Sequence, residues 1–158
     1  MIFVTVGTRD GGFDRLVRGV DAIASEFQEP IRAQIGDGDY IPENLDWFRF
    51  TSEEEVDELY RAASVVVAHA GAGTLLTARS YDKPTVVLPR RRQHGDHNDD
   101  HQLELANALR DRPEVFVIRD PNELKPVLDR ARSQPDGSTA RKNSLVPFLA
   151  EYLDDIEP

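Results

Sequence analysis

The chain has 158 residues, no cysteine and a formal net charge of −10. This length predicts a single domain over residues 1–158, which buries roughly two thirds of the surface of the unfolded chain. The lack of cysteine excludes disulfides, thiolate metal sites and a cysteine nucleophile. The acidic charge argues against a nucleic-acid partner, because no broad basic face is available to neutralise phosphates.

The N-terminus enters an apolar run at once and carries no basic leader of the kind that begins a signal peptide. The apolar runs are far shorter than the roughly 20 residues that span a bilayer. We therefore expect a cytoplasmic protein, which can still be peripheral on the cytoplasmic membrane face through a partner.

Short β-branched runs bounded by turn residues predict strands, and apolar residues at helical spacing predict amphipathic helices. Between the first strand and the first helix, Gly11 and Gly12 are expected to leave the loop loose. The predicted elements, in chain order, are strand 2–6, helix 13–27, strand 31–35, strand 47–50, helix 51–63, strand 65–68, helix 71–79, strand 85–88, helix 98–109, strand 115–118, helix 120–131, a turn at 134–138 and helix 144–156.

Strands and helices alternate along nearly the whole chain. This alternation predicts a Rossmann-like α/β domain, with a mostly parallel sheet and helices on both faces. In such open sheets, ligands bind at the edge where the carboxyl ends of the strands meet. We therefore look for the site in the loops that follow the strands.

Two consecutive strands of this sheet deliver distinctive loops to that edge. The strand at 65–68 ends in the segment 69–74, whose small residues let a backbone approach a ligand and let a helix begin. The next strand, 85–88, leads through Pro89 into the polar, histidine-rich segment 90–102. Because a helix N-terminus attracts anions, we predict a binding site for a phosphorylated ligand between these loops.

Other interpretations of the same residues stay open. A glycine turn between strand and helix is also common packing geometry, and His69 can be a hydrogen-bonded residue at a strand end. His97 and His101 lie four residues apart in an Asp-rich loop, which raises a metal-dependent hydrolase as an alternative. No further ligand follows at a recognisable spacing, so we predict no metal and no cofactor.

Five segments in order carry a family resemblance: residues 1–8, 13–17, 69–74, 83–90 and 100–106. They resemble the glycosyltransferase family 28 C-terminal domain, and most of all its stand-alone form. The resemblance implies the nucleotide-sugar-binding, C-terminal half of a GT-B fold. It also implies a UDP-sugar donor, transfer of N-acetylglucosamine or a related hexose to a lipid-linked acceptor, and a membrane-anchored partner subunit that binds this acceptor.

The resemblance also places individual residues. It implies uracil contacts near Phe50 and Thr51 and donor-sugar contacts at His101 and Gln102. The glycine segment then seats the diphosphate, and an arginine can offset its charge. The predicted substrate-binding residues are Gly7, Thr8, Thr51, His69, Gly71, Ala72, Gly73, Thr74, Thr77, Arg90, His101 and Gln102.

The sequence departs from the family pattern at Thr77. Relatives commonly have an acidic residue there, which hydrogen-bonds the ribose hydroxyls. This difference favours an alternative function as a non-catalytic nucleotide-sugar-binding or regulatory module. We predict no catalytic base in this chain, since in related two-domain enzymes the base lies on the acceptor-binding half.

Overall fold

The computed structural model describes residues 1–9, 11–134 and 145–156. Its strands form one sheet in the order β3-β2-β1-β4-β5-β6, and every neighbouring pair is parallel. This confirms the expected parallel sheet. The strands are β1 (Ile2–Thr5), β2 (Ile31–Gln34), β3 (Asp46–Phe48), β4 (Val65–His69), β5 (Thr85–Leu88) and β6 (Val115–Val117).

Helices cover both faces of the sheet, as predicted. The helices are α1 (Asp14–Ile23), α2 (Glu53–Ala62), α3 (Ala72–Ser80), α4 (His101–Ala108), α5 (Leu124–Arg132) and α6 (Leu145–Ile156). Buried side chains of α1 and α5 form one core cluster, whereas α2, α3, α4 and α6 pack on the opposite face. Within the described ranges, none of these helices combines the length and apolar character needed to cross a membrane.

Strand β4 lies in the middle of the sheet and is buried on both faces. Val65 and Val67 pack into the cluster that includes α1, while Val66 and Ala68 pack into the cluster that includes α2. Burial on both faces explains why this strand has no polar alternation in the sequence. Burying each valine side chain contributes about 1.5–3 kcal/mol, so the strand holds the following glycine segment on a stable base.

Several predicted boundaries differ from the structure by one to four residues. Helix α1 ends at Ile23 rather than at residue 27, where a 3₁₀ turn follows it, and α5 begins at Leu124 rather than at residue 120, where a 3₁₀ turn precedes it. Helix α4 begins at His101 rather than near Asn98, because the carboxylate of Asp99 accepts the His101 N–H at 3.0 Å and so satisfies a donor of the first helical turn. Strand β3 ends at Phe48, because the paired chain turns away at Gly36 (φ +56°). The predicted turn at 134–138 lies, after its first residue, outside the described residues.

Candidate functional site

The order of the strands places a crevice between β1 and β4. These two strands are neighbours, yet the chain continues from β1 to β2 on one side and from β4 to β5 on the other. In open α/β sheets, ligands bind where the connections diverge in this way. Gly7 and Thr8 follow β1, and the segment Gly71–Thr74 follows β4. The structure thus brings two of the predicted segments to one crevice.

The imidazole of His69 fills the space between two glycines in this crevice. A Cβ added at Gly7, where φ is +76°, would lie 2.6 Å from His69 Cε1. A Cβ at Gly71 would lie 2.2 Å from His69 Nε2. His69 is buried, with 6% of its surface exposed. Gly7 and Gly71 therefore leave room for the His69 ring, because a side chain at either position would collide with it. The ring in turn fixes the spacing between the loops after β1 and β4.

Gly73 and Thr74 lie on the first turn of α3 and have a different environment. A Cβ at Gly73 would meet no atom within 4 Å, and the residue is exposed. Helix α3 begins without a side-chain cap. The first N–H groups of a helix lack intrahelical partners, so they can donate to an anion here. Thr77 lies one turn further and donates its hydroxyl to the Gly73 carbonyl at 3.0 Å.

Arg90 is fully buried at the end of β5, where it joins three segments. Its Nη2 donates to the carbonyls of Val6 at 2.8 Å and Gly11 at 3.2 Å, and the guanidinium lies 5.2 Å from the ring centroid of Phe13. Its backbone N–H donates to Oε1 of Gln102 at 3.1 Å. Arg90 therefore connects the loop after β1 to the start of α4. Contact of Arg90 or Gln102 with a donor stays a prediction.

His101 is exposed at the start of α4, among acidic side chains. Its backbone N–H donates to Asp99 Oδ1 at 3.0 Å, and its Nδ1 lies 3.4 Å from Glu104 Oε2. The backbone hydrogen bond from His101 is the main reason that the pKa of Asp99 is lowered, and the imidazole of His97 adds to it. Among the described residues, no group of three histidine or acidic side chains is arranged to hold a metal ion.

Thr51 lies apart from the other predicted site residues. It follows β3 at the outer end of the sheet, with β2 and β1 between it and β4. Thr51 is half-buried, and the neighbouring Phe50 is 50% exposed. Arg49 Nη1 donates to the carbonyls of Gly36 and Gly38 at 2.9 Å each, which fixes the loop between this position and β1.

A cleft of about 430 Å³ lies between the loops that follow β1, β2 and β5. Asp14, Arg15 and Arg18 of α1 form part of its wall. At its base the two glycine loops touch, since a Cβ at Gly12 would lie 2.1 Å from the Cα of Gly38. The expectation of a loose loop is therefore wrong at Gly12, where close backbone packing holds the chain.

The sequence interpretation missed an ion pair between helix α1 and the loop after β5. Arg15 Nη2 on α1 lies 2.7 Å from Asp96 Oδ2 in the loop after β5. The two residues are 81 positions apart, so no local pattern could have indicated the contact. Asp96 lies in the Asp-rich loop that the sequence offers as a possible metal site, and Arg15 is a polar position on an amphipathic helix.

Comparisons with known proteins agree with this geometry. The sequence model of the glycosyltransferase family 28 C-terminal domain matches residues 1–146. The chain is 32% identical to the UDP-N-acetylglucosamine transferase subunit ALG13 of Homo sapiens, over 96% of this chain and 15% of the relative. It is also 32% identical to ALG13 of Mus musculus, over 72% of this chain and 10% of that protein. The chain thus spans a small part of these curated relatives.

Solved glycosyltransferase structures share the fold. The spinosyn forosaminyltransferase SpnP matches with a TM-score of 0.64 at 20% sequence identity, over 95% of this chain and 39% of SpnP. At this identity the likeness concerns the fold alone. It confirms the expected Rossmann-like architecture, equivalent to the C-terminal half of a GT-B glycosyltransferase.

Proposed function

The chain belongs to the glycosyltransferase family 28 C-terminal domain family, and on this premise we propose that it is the donor-binding subunit of a UDP-sugar-dependent glycosyltransferase. The name of the human and mouse relatives supports UDP-N-acetylglucosamine as the donor. The structural observation that carries the proposal is the meeting of three loops, after β1, β4 and β5, at one edge of the sheet.

The chemistry of this edge suits a sugar diphosphate. Transfer from a nucleotide sugar requires that the developing charge on the diphosphate be stabilised by fixed donors and dipoles. The uncapped first turn of α3, with Gly73 and Thr74, supplies N–H groups and the positive end of a helix dipole. His101 and Gln102 then lie at the start of α4, where they can contact the hydroxyls of the transferred sugar.

A partner subunit completes the proposed enzyme. A relative whose name identifies it as a transferase subunit supports this assembly. We propose that the partner is membrane-anchored and binds a lipid-linked acceptor, that it supplies the catalytic base, and that this chain is peripheral on the cytoplasmic membrane face. The transferred sugar is then N-acetylglucosamine or a related hexose.

One observation favours a second candidate, a non-catalytic nucleotide-sugar-binding or regulatory module. The hydroxyl of Thr77 donates to its own helix, at the Gly73 carbonyl, and so offers no charged acceptor to a ribose. Such a module would bind the donor without transferring its sugar. Transfer to an acceptor in the presence of the partner subunit separates the two candidates.

Thermal unfolding with different nucleotides tests the donor assignment. A ligand that binds only the native state raises its stability by RT ln(1 + [L]/Kd), which is about 2.7 kcal/mol at a hundred times Kd. We expect UDP and UDP-N-acetylglucosamine to raise the melting temperature, and GDP and ATP at equal concentration to leave it unchanged. A preference for ATP, or no response to any of the four, would overturn the proposal.

A further inference from the structure

The loop between β5 and α4 is fastened to α1 by an ion pair with several donors. One carboxylate oxygen, Asp96 Oδ2, accepts from Arg15 Nε at 3.0 Å, from Arg15 Nη2 at 2.7 Å and from the backbone N–H of Arg91 at 3.0 Å. Arg15 Nη2 also donates to the carbonyl of Pro89 at 3.0 Å. The guanidinium of Arg15 therefore binds both Pro89, where the loop begins, and Asp96, in the turn of the loop.

This ion pair lies largely out of solvent. The side chain of Asp96 is 6% exposed and that of Arg15 is 18% exposed. Surface ion pairs of exposed side chains contribute little, whereas removing one partner of a buried pair leaves an uncompensated charge. Loss of either side chain should therefore release the loop from α1.

The turn that presents Asp96 is organised for this contact. The N–H groups of His94 and Asp96 both donate to the carbonyl of Arg91 at 3.2 Å, and that of Gly95 donates to Arg92 at 3.0 Å. Gly95 adopts a left-handed conformation that brings the chain back toward Arg91. The carboxylate is thus returned to the start of its own loop, where Arg15 meets it.

The β5–α4 loop leads directly to the two residues that are predicted to contact the nucleotide-sugar donor, His101 and Gln102. Arg92 donates its N–H to Asp100 Oδ1 at 2.9 Å, directly before His101 and Gln102. Gln102 in turn accepts from the N–H of Arg90. The path of the loop therefore determines where α4 begins and where the His101 and Gln102 side chains lie relative to the glycine segment.

We propose that Arg15 and Asp96 are positioning residues of the donor site, which act by holding the β5–α4 loop over the crevice between β1 and β4. This inference rests on the proposed function, because it assigns the loop a part in binding a UDP-sugar. Neither residue needs to touch the donor. Their effect reaches it through the location of His101 and Gln102.

Variants of the full chain test the proposal by calorimetric titration with UDP-N-acetylglucosamine. We expect Asp96→Asn and Arg15→Met each to raise the Kd by about tenfold, since small displacements of binding groups are costly. The double variant should bind no more weakly than either single one, because both remove one contact. Arg15→Lys keeps the charge and should recover part of the affinity.

A control variant separates positioning from general stability. Arg79 lies in the last turn of α3, at the opposite end of the helix from Gly73, and pairs with Asp82 at 2.7 Å, with its own side chain 8% exposed. Arg79→Met should lower the melting temperature but leave the Kd for UDP-N-acetylglucosamine within about twofold of wild type. Equal loss of affinity in Arg79→Met and Asp96→Asn would overturn the proposal.

Hydrogen exchange provides a readout that needs no ligand. We expect Asp96→Asn to speed amide exchange within residues 89–102 and Arg79→Met to leave that segment unchanged. Unchanged exchange in Asp96→Asn would overturn the fastening of the loop. Wild-type protein that binds no uridine nucleotide would overturn the proposed function and the donor role of the pair together. Wild-type binding with equal affinity in Asp96→Asn and Arg15→Met would overturn the positioning role alone.

Discussion

Replacing Gly71 by alanine should destabilise the protein through one contact. The added Cβ would lie 2.2 Å from His69 Nε2, 2.9 Å from Cδ2 and 3.0 Å from Cε1. The ring cannot retreat toward β1, because the backbone at Gly7 already confines it from the other side. Overpacking of this kind costs about 1–3 kcal/mol. We expect a loss of about 2 kcal/mol in the free energy of unfolding.

Gly73→Ala is the matched control, because Gly73 lies two residues after Gly71 in the same glycine segment. Its Cβ would meet nothing within 4 Å, and it falls within α3. Alanine in a helix is favoured over glycine by about 0.5–1 kcal/mol, so this change should be neutral or stabilising. We therefore expect Gly71→Ala to lower the free energy of unfolding and Gly73→Ala to leave it unchanged or raise it.

Urea unfolding followed by circular dichroism measures both changes, with the midpoint as the readout and the slope as a check on two-state behaviour. Combining Gly71→Ala with His69→Ala should restore part of the loss, since the clash disappears with the ring. A coupling of about 1 kcal/mol or more is expected for residues in direct contact. Wild-type stability in Gly71→Ala, or strictly additive losses in the double variant, would refute this reasoning.

Three further changes test other parts of the structure. Gly73→Val should abolish the melting-temperature increase with UDP while the unliganded protein stays folded, and a retained increase would show that the α3 N-terminus does not bind the nucleotide. Arg90→Met leaves two backbone carbonyls without their buried donor and should cost about 2–3 kcal/mol in urea unfolding, whereas an unchanged midpoint would contradict this. Asp21→Asn should cost about 2 kcal/mol at neutral pH, because the buried carboxylate accepts from the Tyr40 hydroxyl and from two backbone N–H groups. Burial raises the pKa of Asp21, but these hydrogen bonds outweigh it and lower the pKa, so the wild-type advantage over Asp21→Asn should decline as the pH falls from about 4 through the lowered pKa of the native state. An advantage that grew as the pH fell would contradict that assignment.

The strand and helix pattern of the sequence was informative because the strands β1, β4 and β5 are buried along their whole length. The continuous apolar run of β4 predicts a buried strand, and the structure confirms it. The start of α2 was also predictable, since the Ser52 hydroxyl accepts from the N–H of Glu55 at 3.2 Å. Such caps act within a few residues of the chain, so a local pattern contains the information.

The contacts that hold the candidate site together are long-range and were not predictable. Arg90 reaches the carbonyl of Val6 across 84 positions, and Arg15 reaches Asp96 across 81. In the sequence these arginines read as a basic loop and a helix surface. Their roles depend on the order of the strands, which places the loops after β1 and β5 on either side of β4.

The glycine segment after β4 shows how one motif can serve two purposes. Small residues at both Gly71 and Gly73 predicted close approach of the backbone to a ligand. In the structure, Gly71 lies against His69, while the space next to Gly73 is open. The buried His69 ring fixes the distance between the loops after β1 and β4. The first half of the motif, at Gly71, therefore sets the width of the crevice between these strands. In the proposed function, the diphosphate then binds at the second half of the motif, at the uncapped start of α3.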